Sequence, residues 1–156
     1  MPNLKQKVIR HNKKVIQADN VQPVVACNCT AVIGDCPLDG ECQTKGVIYR
    51  AEVISQNFGT ETYTGLTKNT FKTRFYKHRE SFKTRSSENS TTLSSHIWKL
   101  KDRGDTFNIN WSIVDKGTPF NPTTRICGLC NKEKYYIIFE PEGASLNQRS
   151  ELFSTC

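Results

Sequence analysis

Between residues 47 and 55 apolar and polar side chains alternate. Tyr49, Ala51 and Val53 fall on one side and Arg50 and Glu52 on the other, the period of a strand. A short loop carrying Gly59 leads to a second strand near 62–66, and the two read as a hairpin. From 70 to 84 the period becomes helical, with Phe71, Phe75 and Phe82 placed to face a core. A polar loop at 86–92 precedes a second helix marked by Leu93, Ile97 and Leu100 and ended by Gly104. The clearest strand is 106–114, with Phe107, Ile109, Trp111 and Ile113 on one face. After a loop at 117–122, a third helix carries Glu133 and runs to about Phe139, and Asn147 is placed to cap a short last helix over 148–153. The order ββααβαα, without internal repeats, predicts one α/β domain in which a small, mainly antiparallel, three-stranded sheet is flanked by helices.

The first 45 residues break this pattern. Residues 1–26 hold Lys5, Lys7, Arg10, Lys13 and Lys14 with only a weak helical pattern in Val8, Ile9, Val15 and Ile16, and read as a basic linker or arm. Residues 27–45 form a cysteine-rich knuckle punctuated by Gly34, Pro37 and Gly40, and the domain proper is expected over 46–156. The whole chain of 156 residues suffices for one core. Its net charge of +7 favours a polyanionic partner such as nucleic acid. No stretch approaches the roughly 20 apolar residues of a bilayer span, and the N-terminus lacks the apolar core of a signal peptide. No membrane partner is therefore expected, and a reducing, intracellular compartment is.

In such a compartment the seven cysteines read first as metal ligands. Cys27, Cys29, Cys36 and Cys42 have the composition of one closed, structural Zn²⁺ site with four thiolates. Cys127 and Cys130 form a typical two-ligand bite. They are zinc candidates with Cys36 and Cys42, or in a second site with Cys156 and His96. Buried free thiols are the alternative for both groups.

The hairpin strands contain Val47-Ile48-Tyr49, preceded by Gly46, and Tyr63-Thr64-Gly65. With these tripeptides the sequence resembles the GIY-YIG nucleases, with Val for the first Gly and Thr for the middle Ile. That family places an Arg and, one turn later, a His or Tyr on the helix after the second strand, which Arg74 and His78 match. It places a metal-binding Glu on a later helix and often an Asn downstream, which Glu133 and Asn147 match. Four further segments, CPLDGEC, LSSHIWKLK, CGLCNKE and LNQRSEL, resemble the endonuclease domain of Penelope-like retroelements, and HNKK at 11–14 resembles the linker that precedes it. The resemblance implies a GIY-YIG fold and a nuclear DNA endonuclease that nicks its target for target-primed reverse transcription. Its partners would then be DNA and a reverse transcriptase domain of the same polyprotein with its RNA.

The residue types suit phosphodiester hydrolysis. Glu133 is a hard-cation ligand for one Mg²⁺ or Mn²⁺, and a single carboxylate implies a single ion. Arg74 offers a planar fork to the scissile phosphate. Tyr49 is the candidate general base, its proton drawn off by the metal and cationic neighbours, with His78 orienting it or relaying the proton. Tyr63 is placed to position water or phosphate. The same helix carries Lys72, Lys77, Arg79, Lys83 and Arg85, expected to bind DNA phosphates without reading sequence. The competing reading is a non-catalytic, zinc-dependent nucleic-acid-binding module, which has no need of Tyr49, Tyr63, Arg74, His78 and Glu133 together.

Overall fold

The alternation over 47–55 marks the central strand of the sheet. In the computed structural model, which describes Cys27, Cys29, residues 36–148 and Leu152, β1 (Lys45–Ser55) is flanked by β2 (Gly59–Thr70) and β3 (Phe107–Lys116). The strand order is β2-β1-β3 and both pairings are antiparallel. With both edges paired, β1 buries Val47, Ile48, Tyr49, Ala51 and Val53. The domain is α/β, and its helices are α1 (Phe71–Lys83), α2 (Thr92–Asp102) and α3 (Gly128–Phe139). Short 3₁₀ turns occupy Arg85–Ser87 and Pro141–Gly143. The first falls in the polar stretch expected as a loop.

β2 is longer than the expected 62–66. It pairs with β1 from Ser55↔Gly59 to Lys45↔Thr70. Its ends are polar (Thr60, Glu61, Lys68 and Asn69) because one edge of the strand faces outward, so no hydrophobic alternation marks them. At the other end of β1 the register shifts around Gly46, whose φ is +63°. A Cβ there would lie 2.8 Å from the Gly117 carbonyl oxygen. The Gly46 carbonyl accepts the Gly117 N–H at 2.9 Å.

One face of the sheet is covered by α1 and α2. Tyr49, Val53 and Tyr63 pack there with Phe71, Phe82, Leu93, Ile97 and Leu100, while Phe75 and the β3 row Phe107, Ile109, Trp111 and Ile113 close the rim. Threonines set both helix starts: Thr70 Oγ1 accepts the Thr73 N–H at 3.2 Å and Thr91 Oγ1 the Ser94 N–H at 3.0 Å.

The second face is covered by α3 and the segment that follows it. α3 begins five residues before Glu133, because the Cys127 sulfur caps it by accepting the Cys130 N–H at 3.2 Å. A thiol is a weak acceptor and does not register as a helix start in sequence. Arg50 pairs with Glu140 at 3.1 Å. Asn147 then acts as an added strand residue along β2: its Oδ1 accepts the Thr64 N–H and its Nδ2 donates to the Thr64 carbonyl, both at 2.8 Å. The helix expected at 148–153 and the arm at 1–26 lie outside the described residues, Gln148 and Leu152 excepted. No helix among the described residues is long and apolar enough to cross a membrane.

Candidate active site and cysteine cluster

Strand register brings two tyrosines and a glycine together. Tyr49 of β1 lies directly opposite Gly65 of β2 and so shares its face, and Tyr63, two residues earlier, shares it too. A Cβ on Gly65 would meet the Tyr49 hydroxyl at 2.6 Å and Tyr63 Cε1 at 2.9 Å. The missing side chain at 65 is the space through which the Tyr49 phenol crosses β2. From α1, Arg74 and His78 reach the same hydroxyl, one turn apart on one helix face. Arg74 Nε donates to Tyr49 Oη at 3.0 Å, and His78 Nε2 lies 2.8 Å from it. Tyr63 hydrogen-bonds with both Tyr49 and Arg74. The rings of Phe71, His78 and Trp111 pack around Tyr49 with centroids 5.5, 5.8 and 6.1 Å away.

The electrostatics assign the proton positions. Burial, reinforced by the Arg74 charge, lowers the His78 pKa to about 3, so the imidazole is neutral at physiological pH. With its proton on Nδ1, His78 presents Nε2 as an acceptor; Tyr49 then donates to His78 while accepting from Arg74. Burial raises the Tyr49 pKa, Arg74 works to lower it, and the Glu133 charge raises it further. Among the protein groups desolvation outweighs Arg74, so the net shift of the phenol is upward. Glu133, half-buried on α3, makes its charge felt at Tyr49 from the opposite layer.

A second cluster stands at the start of α1. The Sγ atoms of Cys27, Cys29, Cys36 and Cys42 all lie within 4.8 Å of one another. Three separations are 3.5 Å (Cys27–Cys36), 3.3 Å (Cys27–Cys42) and 3.7 Å (Cys29–Cys42). A tetrahedral site with metal–sulfur bonds of about 2.3 Å has sulfur–sulfur edges of about 3.8 Å, so the set could hold a metal ion such as zinc. Gly40 N–H donates to Cys36 Sγ at 3.1 Å, Cys29 N–H to Cys27 Sγ at 3.3 Å and Lys72 Nζ to Cys29 Sγ at 3.4 Å. Burial works to raise the Cys36 pKa, but the Gly40 and Leu38 amides and the neighbouring sulfurs outweigh it and lower the value to about 7. The knuckle also caps α1: the Thr44 carbonyl accepts the Phe71 N–H at 2.9 Å and the Cys42 carbonyl accepts the Lys72 N–H at 2.7 Å.

Cys127 and Cys130 stand apart from this cluster. The site is closed by Cys27 and Cys29 rather than by the CxxC pair, Cys127 is the cap of α3, and Cys130 is in a disulfide. Cys156, the other partner considered for them, lies outside the described residues. The remaining expected residues diverge in the same way. Asn147 engages the β2 backbone and positions the strand that carries Tyr63. Of the basic row, Arg85 is neutralised by Asp102 at 2.7 Å and Glu88 at 3.0 Å, and Lys83 pairs with Glu80 at 3.3 Å. Arg79 stacks on Phe75 and Lys72 serves the cysteines. Arg74 and Lys77 alone of this row line both cavities beside the tyrosine cluster, one of about 270 Å³ toward α3 and one of about 650 Å³ toward α2.

The reading of the residues missed the role of Gly65, although its place two residues after Tyr63 is a usable signal. It also missed Lys68 and Phe120, which line the smaller cavity and carry no motif. Comparison of the chain with family models, with curated proteins and with solved structures gives no match.

Two outcomes follow from the cluster. An alanine in a strand interior is ordinarily better than glycine by about 0.5–1 kcal/mol. Gly65→Ala should instead destabilise the protein by about 1–3 kcal/mol, the usual range for overpacking, read by chemical denaturation; a neutral or stabilising effect would show that the phenol does not need that space. The second concerns acid. The folded pKa of His78 lies below its unfolded value of about 6.5, so the unfolded chain binds the extra proton. Its contribution is fully present above pH 6.5 and is lost as pH falls toward 3. At about 1.4 kcal/mol per unit this amounts to a few kcal/mol. His78→Gln should flatten the fall in melting temperature between pH 6.5 and 4; parallel acid profiles for the two proteins would refute it.

Proposed function

We propose that the chain is a metal-dependent DNA endonuclease of the GIY-YIG type, with a structural zinc site in its cysteine knuckle. The observation that carries the reading is the convergence of Tyr63, Arg74 and a neutral His78 on the buried Tyr49 hydroxyl, where the Glu133 charge is also felt. One neutral acceptor would satisfy the phenol, so the arginine set on it as well goes beyond what the core needs, because desolvating a charge costs stability. Perturbed groups of this kind cluster at functional sites.

On this reading each residue has a task. Arg74, which lines both cavities, binds and neutralises the scissile phosphate, holding it beside the two phenols. Tyr63 positions the attacking water or the phosphate. Tyr49 is the general base toward the water, and neutral His78 Nε2 accepts the hydrogen bond of its hydroxyl and so orients the phenol. Glu133 is the residue that would hold a divalent Mg²⁺ or Mn²⁺, whose charge, when bound, stabilises the developing negative charge and favours the phenolate. Lys77 and Lys68 extend the phosphate contacts. In the cysteine knuckle the four thiolates close the zinc shell, leaving no open position for catalysis. The resemblance to Penelope-like elements supports a nuclear role, in which the nick supplies a 3′ end to a reverse transcriptase domain and its RNA.

A supercoiled-plasmid assay tests the reading. The protein should nick DNA with Mg²⁺ or Mn²⁺, Glu133→Gln should abolish nicking, and Tyr49→Phe should slow it by roughly 10² or more, the usual contribution of acid–base catalysis. DNA binding by the wild type without nicking in either metal would leave a non-catalytic nucleic-acid-binding module. The zinc assignment has its own test. Elemental analysis of protein purified without chelator should give about one Zn²⁺ per chain, and Cys36→Ser should lower it. Chelation should reduce the melting temperature even with Mg²⁺ present, because the knuckle caps α1. Zinc-free protein with an unchanged melting temperature would remove the metal from the knuckle.

A further inference from the structure

The smaller cavity beside Arg74 combines two kinds of surface. Cations stand around it: Arg74 and Lys77 from α1 and Lys68 from the end of β2. Among the described residues, Lys68 and Lys77 make no ion pair or hydrogen bond, in contrast to Lys83 and Arg85 on the same side of the fold. The same cavity is also lined by apolar residues: Pro119 and Phe120 from the loop before α3, and Leu129. Phe120 is 52% exposed, and among the described residues no other ring packs on it. The volume, about 270 Å³, lies just below the usual range for a drug-sized ligand. Such a space suits one planar heterocycle with its phosphate.

We infer that this cavity binds a single unpaired nucleotide of the DNA, its base stacked on Phe120 and its phosphate held by Lys68, Lys77 and Arg74. The inference rests on the endonuclease reading for the identity of the polyanion and adds where one nucleotide sits. Charge complementarity selects a phosphate, and the exposed ring selects a base face over a sugar edge. A base inside a duplex has both faces covered by its neighbours, so it cannot stack on Phe120 without leaving the helix. The site therefore favours DNA that is bulged, gapped or single-stranded next to the phosphate at Arg74. Any base has a π-face, so the preference is for unpaired structure more than for sequence.

The test uses a duplex carrying one bulged 2-aminopurine nucleotide, and the same duplex fully paired, at low salt without added divalent metal. Wild-type protein should quench the 2-aminopurine fluorescence and bind the bulged duplex more tightly than the paired one. Phe120→Ala should abolish the quench and weaken binding of the bulged duplex by about 5- to 100-fold, the range for loss of one base–aromatic stack, while leaving the paired duplex unchanged. Phe120 is half-exposed, so the variant should fold, and equal melting temperatures verify this. Lys68→Ala with Lys77→Ala should weaken both duplexes. Equal quench and affinity in wild type and Phe120→Ala would overturn the site. The plasmid assay separates the two readings. Nicking without a quench removes the nucleotide site and leaves the endonuclease, and a Phe120-dependent quench without nicking does the reverse.

Discussion

A hydroxyl buried in a hydrophobic core has to be satisfied, and that requirement at Tyr49 fixes much of this fold. The phenol lies on the central strand, closed in by Phe71 and Trp111, where water cannot supply a partner. Leaving it unpaired would cost on the order of 1–3 kcal/mol. Its partners are Arg74 and His78, both on α1. The helix must therefore present one particular face to the sheet at one particular height. Gly65 removes the side chain that would stand in the way. Packing of Phe71 and Phe82 alone would tolerate some rotation of α1; three polar atoms within hydrogen-bonding distance do not.

The cysteine knuckle acts on the same helix from its end. Its carbonyls at Cys42 and Thr44 take the first N–H groups of α1, and Lys72 returns a charge-assisted bond to Cys29. Four sulfurs this close cannot all be anionic without a cation between them. The amides lower the pKa of Cys36, while burial pushes that of Cys42 up. A metal held by the four sulfurs would resolve this conflict by replacing protons with one shared charge. The knuckle is thus joined to the turn of α1 that carries Arg74.

Charge is used unevenly across the surface. Arg85 and Arg50 are held by carboxylates, and Arg85 also lies against Trp98. The Arg85 pairs are largely solvent-exposed and contribute little to stability, but they take cations out of the field that a polyanion would meet. What remains beside the tyrosine cluster is Arg74, Lys77 and Lys68 around two adjoining cavities. The net charge of the chain is +7, and part of it stands beside the aromatic cluster as Arg74, Lys77 and Lys68.

The sequence by itself determined the elements and the ingredients. Period-2 alternation in β1 and β3 and helical spacing of Phe71, Phe75 and Phe82 survive into the structure, because each pattern reflects which side of an element meets the core. The four-residue spacing of Arg74 and His78 puts both on one helix face for the same local reason. The knuckle cysteines were legible as a set, since four thiols in so short a loop have the spacing of metal ligands. The tertiary structure alone decided the rest. Register placed Gly65 opposite Tyr49, and burial in that company raises the pKa of the phenol. The use of Asn147 along β2, the neutralisation of Arg85 by Asp102 and the meeting of Lys68 with Phe120 all depend on partners 17 to 83 residues away in the chain. Local periodicity reports which face of an element is buried; it holds no information on which distant residue will be found there.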